Sequence, residues 1–128
     1  MNSLQWTKRV RRFLMGMCLA AGLTLLAGCH SFHIDVDVEN RTGSPIRLME
    51  VDYPNASFGA NSLAAGAVMH YRFQVQGNGP LKVQYTAGDG RQVQIDGPTF
   101  SERQEGTLTI VLLPNGKAEF HPVVTAKP

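Results

Sequence analysis

The chain has 128 residues, with 12 basic and 10 acidic side chains, a formal charge of +2 and a sequence pI near 8.7. Four of the basic residues fall within the first twelve positions, so the remainder carries eight basic against ten acidic residues, a net charge of −2. A weakly acidic body with scattered lysines and arginines excludes nucleic acid as a partner, and about one hundred residues make one domain.

The opening residues Lys8, Arg9, Arg11 and Arg12 precede a 15-residue apolar run, Phe13 to Ala27. A cationic start, a short apolar middle and small residues at its end are the order of a secretory signal. A membrane-spanning helix needs ~20 residues. The run closes on Leu26-Ala27-Gly28-Cys29.

This tetrad resembles the lipobox of bacterial lipoproteins, an aliphatic and two small residues before a cysteine. The resemblance implies a diacylglyceryl group on the Cys29 sulfur. It also implies cleavage by signal peptidase II between Gly28 and Cys29, with Leu26, Ala27 and Gly28 as the recognition residues. Several acyl chains hold a protein stably on a bilayer where one does not, so the implied partner is the membrane. In the enteric sorting pattern aspartate after the cysteine favours the inner membrane. His30 stands there, and the resemblance implies an outer-membrane address facing the periplasm.

With Cys18 in the signal and Cys29 lipidated, the mature part has no thiol for a disulfide, a zinc site or a nucleophile. The organisation expected is a signal over 1–28, a lipidated tether over 29–33, a folded domain over 34–121 and a tail over 122–128.

From Phe32 the pattern is alternation, the period of a half-buried strand. Ile34, Val36 and Val38 face one way, and Asp35, Asp37 and Glu39 face the other. A turn-rich stretch follows, Asn40 to Pro45. In Ile46 to Tyr53 the apolar phase slips by one residue at Leu48-Met49, which predicts a bulge. Pro54 to Ala67 reads as a long Gly- and Ala-rich connection. Val68 to Gln76 alternates, as do Leu81 to Thr86, with Gly77 to Pro80 turning the chain between them. Gly88-Asp89-Gly90 signals a hairpin into Gln92 to Ile95. Asp96 to Gly106 reads as a polar loop. Leu108 to Leu113 is apolar on both faces, which suits a central strand. Asn115-Gly116 predicts a two-residue hairpin into Lys117 to His121.

Seven candidate strands and no helical period past residue 28 predict an all-β, antiparallel β-sandwich of immunoglobulin-like type, with a small barrel as the alternative. The Asn40-Arg-Thr-Gly turn, Leu63-Ala-Ala-Gly and Tyr71-Arg-Phe loosely resemble immunoglobulin- or fibronectin-like accessory domains of bacterial surface proteins. That resemblance carries no functional residue across.

Chemistry is sparse. His30 and His33 sit three apart on an extended tether, which sends their rings to opposite sides. His70 and His121 fall on solvent faces. The carboxylates of Asp35, Asp37 and Glu39 stand ~7 Å apart along one strand face, too far to share a calcium ion. No Gly-x-Ser-x-Gly setting surrounds Ser57, Ser62 or Ser101. Asn40-Arg-Thr42 and Asn55-Ala-Ser57 are read as turns. No catalytic residue, metal site or cofactor is expected. Long connections on a rigid sandwich are where binding resides, which makes Phe58, with Leu63, the expected contact for a partner.

The expected function is a non-enzymatic, lipid-anchored module that binds or scaffolds another envelope protein. The alternatives are a periplasmic small-ligand or metal carrier and, behind it, a small hydrolase of wall or glycan.

Overall fold

In the computed structural model of the chain, residues 30–128 are described. The signal segment and the lipobox, with Leu26, Ala27, Gly28 and Cys29, lie outside the described residues. Residues 32–128 form one compact unit.

Eight strands follow in order: β1 (Ile34–Asn40), β2 (Ile46–Tyr53), β3 (Ala56–Leu63), β4 (Val68–Phe73), β5 (Gly79–Thr86), β6 (Gln92–Phe100), β7 (Gln104–Leu113) and β8 (Lys117–Ala126). They form two four-stranded sheets, ordered β4-β1-β7-β8 and β3-β2-β5-β6. The fold is an all-β sandwich, as the alternation predicts. All pairs are antiparallel except β1 with β7.

The strand order departs from that of immunoglobulin domains, whose first two strands are neighbours in one sheet. Here the turn after Asn40 carries the chain from β1 to the opposite sheet.

The core is built from the inward halves of the alternating strands. Ile34, Val36 and Val38 of β1 meet Leu108, Ile110 and Leu112 of β7, all 0–1% exposed. Ile46, Met49 and Val51 of β2 and Leu81, Val83 and Tyr85 of β5 supply the other sheet's share. Each such side chain contributes about 1.5–3 kcal/mol of transfer free energy.

Aromatic rings close the side where edge strands β3 and β4 approach. Phe58 stacks on Tyr71 at 4.2 Å, Tyr53 stacks on Phe73 at 4.2 Å, and Phe100 meets Phe73 edge-on at 6.2 Å. At the β6 edge Gly97 leaves room for Phe120, because a β-carbon there would come 2.8 Å from its ring.

The bulge expected at Leu48-Met49 is present. The β2–β5 register shifts between Arg47 and Glu50, and Leu48 takes φ 49°.

Four boundaries differ from the sequence reading. The Pro54 to Ala67 connection is mostly β3, a strand with few β-formers that is ordered by pairing Val51 with Phe58 and Ile46 with Leu63. The polar loop from Asp96 is the second half of β6, and only residues 101–103 turn. Pro98 is tolerated because β6 is an edge. The frayed tail over 122–128 is instead mostly β8, paired with β7 from Leu113↔Lys117 to Gln104↔Ala126. Pro122 hid it, and Pro122 too lies on an edge strand. The Asn115-Gly116 hairpin has three loop residues, Pro114 to Gly116, with positive φ at Asn115 and Gly116.

Candidate functional site

The expected contact residues do not face a partner. Phe58 is 6% and Leu63 8% exposed, because strand pairing turns both inward. They are core residues of an edge strand rather than anchors on a loop.

The acidic stripe is a surface of two cross-strand pairs and one local pair. Asp35 accepts from Arg72 Nε at 2.8 Å, Asp37 pairs with His70, and Glu39 pairs with Arg41 at 2.7 Å. These ion pairs are exposed, and such pairs contribute little to stability. His121 lies 3.2 Å from Glu119 on exposed β8. Among the described residues no three His, Cys, Asp or Glu side chains gather as a metal site would require.

A different surface emerges at β3. Four strands are sheet edges: β4, β8, β3 and β6. Proteins blunt such edges with charges and prolines. β4 carries His70 and Arg72, β6 carries Asp96 and Pro98, and β8 carries Lys117, Glu119 and Pro122. β3 reads Ala-Ser-Phe-Gly-Ala-Asn-Ser-Leu and carries neither. Among the described strands it is hydrogen-bonded to β2 alone.

The β2 bulge sits beside this edge. It leaves Leu48 67% exposed, a large apolar side chain on a backbone conformation that costs a non-glycine residue free energy. Leu48, Met49, Glu50, Gly59, Ala60 and Asn61 line an open depression of about 360 Å³. Gly59 stands opposite Glu50, and a β-carbon there would collide with the Met49 carbonyl oxygen, so the position stays bare.

Glu50 and Asp52 share one face of β2. Hydrogen bonding and charge repulsion from Asp52 raise the Glu50 pKa from its ordinary value. Gln84 donates to Asp52 at 3.5 Å, and Lys82 stands across from Asp52 on β5. Among the described residues neither carboxylate belongs to an ion pair.

A second concavity, a cleft of about 330 Å³, opens at the end of the sandwich where β1 begins. Tyr53, Tyr71 and Phe73 supply its aromatic wall, and Arg72, Gln74 and Gln76 its polar one. Burial, then the neighbouring Tyr71, raises the Tyr53 pKa.

Of these features, the phase slip at Leu48-Met49 is visible in the sequence. The bare Gly59 and the uncharged edge are not, since both depend on β3 being a strand.

No family model and no curated protein matches the sequence. Among solved structures, the NMR structure of a protein from Eubacterium rectale is similar in fold, with a TM-score of 0.52 and 12% identity. The match covers 73% of this chain and 93% of that one.

Proposed function

We propose that this chain is a lipid-anchored envelope lipoprotein whose sandwich binds another envelope protein and performs no catalysis. Lipid on Cys29 holds it on the membrane, with the domain in the periplasm under the outer membrane. The observation that carries the binding reading is β3, an edge strand with no charge or proline to deter pairing. Addition of a strand to such an edge supplies main-chain hydrogen bonds for affinity. Exposed Leu48 beside it adds apolar contact.

A photoreactive amino acid at Ser57 or Asn61, exposed positions of β3, is expected to cross-link one partner in intact cells. The same group at exposed Thr125 of β8 is expected to give no such product. Equal labelling from both edges, or none from β3, removes the reading.

The anchor has its own test. Cys29→Ala is expected to abolish fatty-acid labelling, leave the precursor uncleaved and move the domain out of the lipidated fraction. At ~0.8 kcal/mol per buried CH₂ group, loss of the acyl chains removes essentially all of the lipid-borne affinity. Mass spectrometry that finds a free thiol at Cys29 in the mature protein defeats the anchoring reading.

A second reading, a periplasmic carrier of a small ligand, is favoured by the aromatic cleft between Tyr53 and Tyr71. It uses a different part of the surface and does not compete with the β3 edge for residues.

A further inference from the structure

The binding reading leaves the partner's chemistry open, and the outer face of β2 and β3 narrows it. Read across the sheet, the register is Gln84 on β5, Glu50 on β2, Gly59 on β3, and then solvent. The position beside Glu50 therefore has no side chain, and the Met49 carbonyl bars any β-carbon from it. The carboxylate is screened on the β5 side by an amide and open on the β3 side. Asp52, two residues along, adds a second negative charge on the same face. Among the described residues six other carboxylates, Asp35, Asp37, Glu39, Asp89, Glu105 and Glu119, each have a cationic or imidazole partner, whereas Asp96 on β6 and Glu102 in the turn after it belong to no ion pair.

Resting on the proposal that β3 receives a partner, we infer that the added segment is an extended strand carrying a lysine or arginine over Gly59, where it pairs with Glu50. A residue opposite Gly59 on such a strand has its Cα two strand spacings from that of Glu50, about 10 Å. A long cationic side chain and a glutamate side chain span that distance from its two ends, and only a glycine between them leaves the path clear. The next residue of the added strand on the same face lies opposite Asn61 or Ser57. On the Asn61 side it meets exposed Leu48, which selects an apolar side chain there. The recognition pattern is thus a cation and an apolar residue two positions apart, with the backbone of β3 supplying affinity and the Glu50–Leu48 pair supplying register. Charged pairs of this kind govern specificity more than they govern affinity.

The test uses the full-length chain in detergent micelles. The probes are two capped nine-residue peptides of alternating threonine and valine that differ only in a central arginine or glutamate. The arginine peptide is expected to bind about tenfold tighter than the glutamate peptide and to slow amide hydrogen exchange across Ser57–Ser62. Glu50→Gln is expected to level the two affinities and Glu50→Arg to invert them, and both substitutions lie on an exposed position that leaves the core untouched. Equal binding of the two peptides to the parent chain, no protection of β3, or a preference that survives Glu50→Arg overturns the inference. So does sedimentation showing a dimer whose β3 amides are protected before peptide is added, because a second copy then occupies the edge. If Ser57 still cross-links a partner in cells while the charge preference is missing, the binding function stands and this assignment of the partner's chemistry falls. If Ser57 cross-links nothing, the binding reading itself fails.

Discussion

Asn40→Ala is expected to lower the unfolding free energy by about 3 kcal/mol. Asn40 ends β1 with its side chain wholly buried. Its Nδ2 donates to the carbonyls of Ser44 at 2.9 Å, Leu63 at 3.0 Å and Ala64 at 3.2 Å. Its Oδ1 accepts from the Thr42 amide at 3.1 Å and the Thr42 hydroxyl at 2.7 Å. Its main chain is tied to the same region, through Asn40 N to Ala67 O at 3.0 Å and Gly66 N to Asn40 O at 2.7 Å. One amide group therefore joins the turn that carries the chain between sheets to the end of β3.

Alanine removes these bonds and leaves the Leu63 carbonyl, whose bond to Asn40 is buried, without that donor, a loss of roughly 1–3 kcal/mol for such a group. Asn40→Asp is expected to cost at least as much. It replaces two donors with an oxygen facing three carbonyl oxygens, although the contacts to Thr42 survive. Urea unfolding followed by circular dichroism reads the effect. With a slope of roughly 1.5 kcal/mol per M, the midpoint falls by about 2 M. A shift below a quarter of that size shows that water replaces the amide at no great cost, and that Asn40 is a turn residue and nothing more.

The legible parts of the fold are those where local pattern and buried environment agree. Over Ile34–Val38 of β1, Leu81–Tyr85 of β5 and Leu108–Leu112 of β7 every second residue is a strong apolar side chain, because each strand has neighbours on both sides and one face against the core. The bulge is legible for the same reason: Ile46 and Met49 are both inward, three positions apart, and only an extra residue reconciles them. What the pattern hides is at the edges. β3, β6 and β8 each bury few side chains, tolerate glycine or proline, and look like loop or tail when read alone. Their order comes from antiparallel pairing with the strand just before each of them, Tyr53↔Ala56 through Ile46↔Leu63 for β3, rather than from their own apolar pattern. The parallel pairing of β1 with β7 is likewise a property of the assembled sheet.

The site suffers most from this loss. Phe58 stands out in sequence as the aromatic of a Gly-rich segment, yet strand pairing makes it a core residue stacked on Tyr71. The surface that remains depends on which strand is outermost, and composition does not report that. Leu48 is the exception. A phase slip names it, and the bulge then turns it outward beside the very edge that the sequence conceals.

Gly106→Ala is expected to cost on the order of 3 kcal/mol or more, through strain and overpacking together. Gly106 lies within β7, between Ile34 on β1 and Val124 on β8, with φ at +143°. A β-carbon there would run into the Val123 carbonyl oxygen and come within 2.9 Å of Val124 Cα. Both obstacles are backbone, so no rotamer change relieves them, and β8 must shift away from β7 or β7 must rotate. Gly106 N also donates to His33 O at 3.1 Å, where the chain enters β1, so a rotated peptide loses that bond too. Gly90, also at positive φ but with nothing within 4 Å of its β-position, provides the control. Gly90→Ala carries only the conformational cost, about 1 kcal/mol. Thermal unfolding of the two variants separates packing from conformation. If Gly106→Ala is no worse than Gly90→Ala, β8 is loosely held, and its long pairing with β7 does not contribute the rigidity that an edge of ten residues needs.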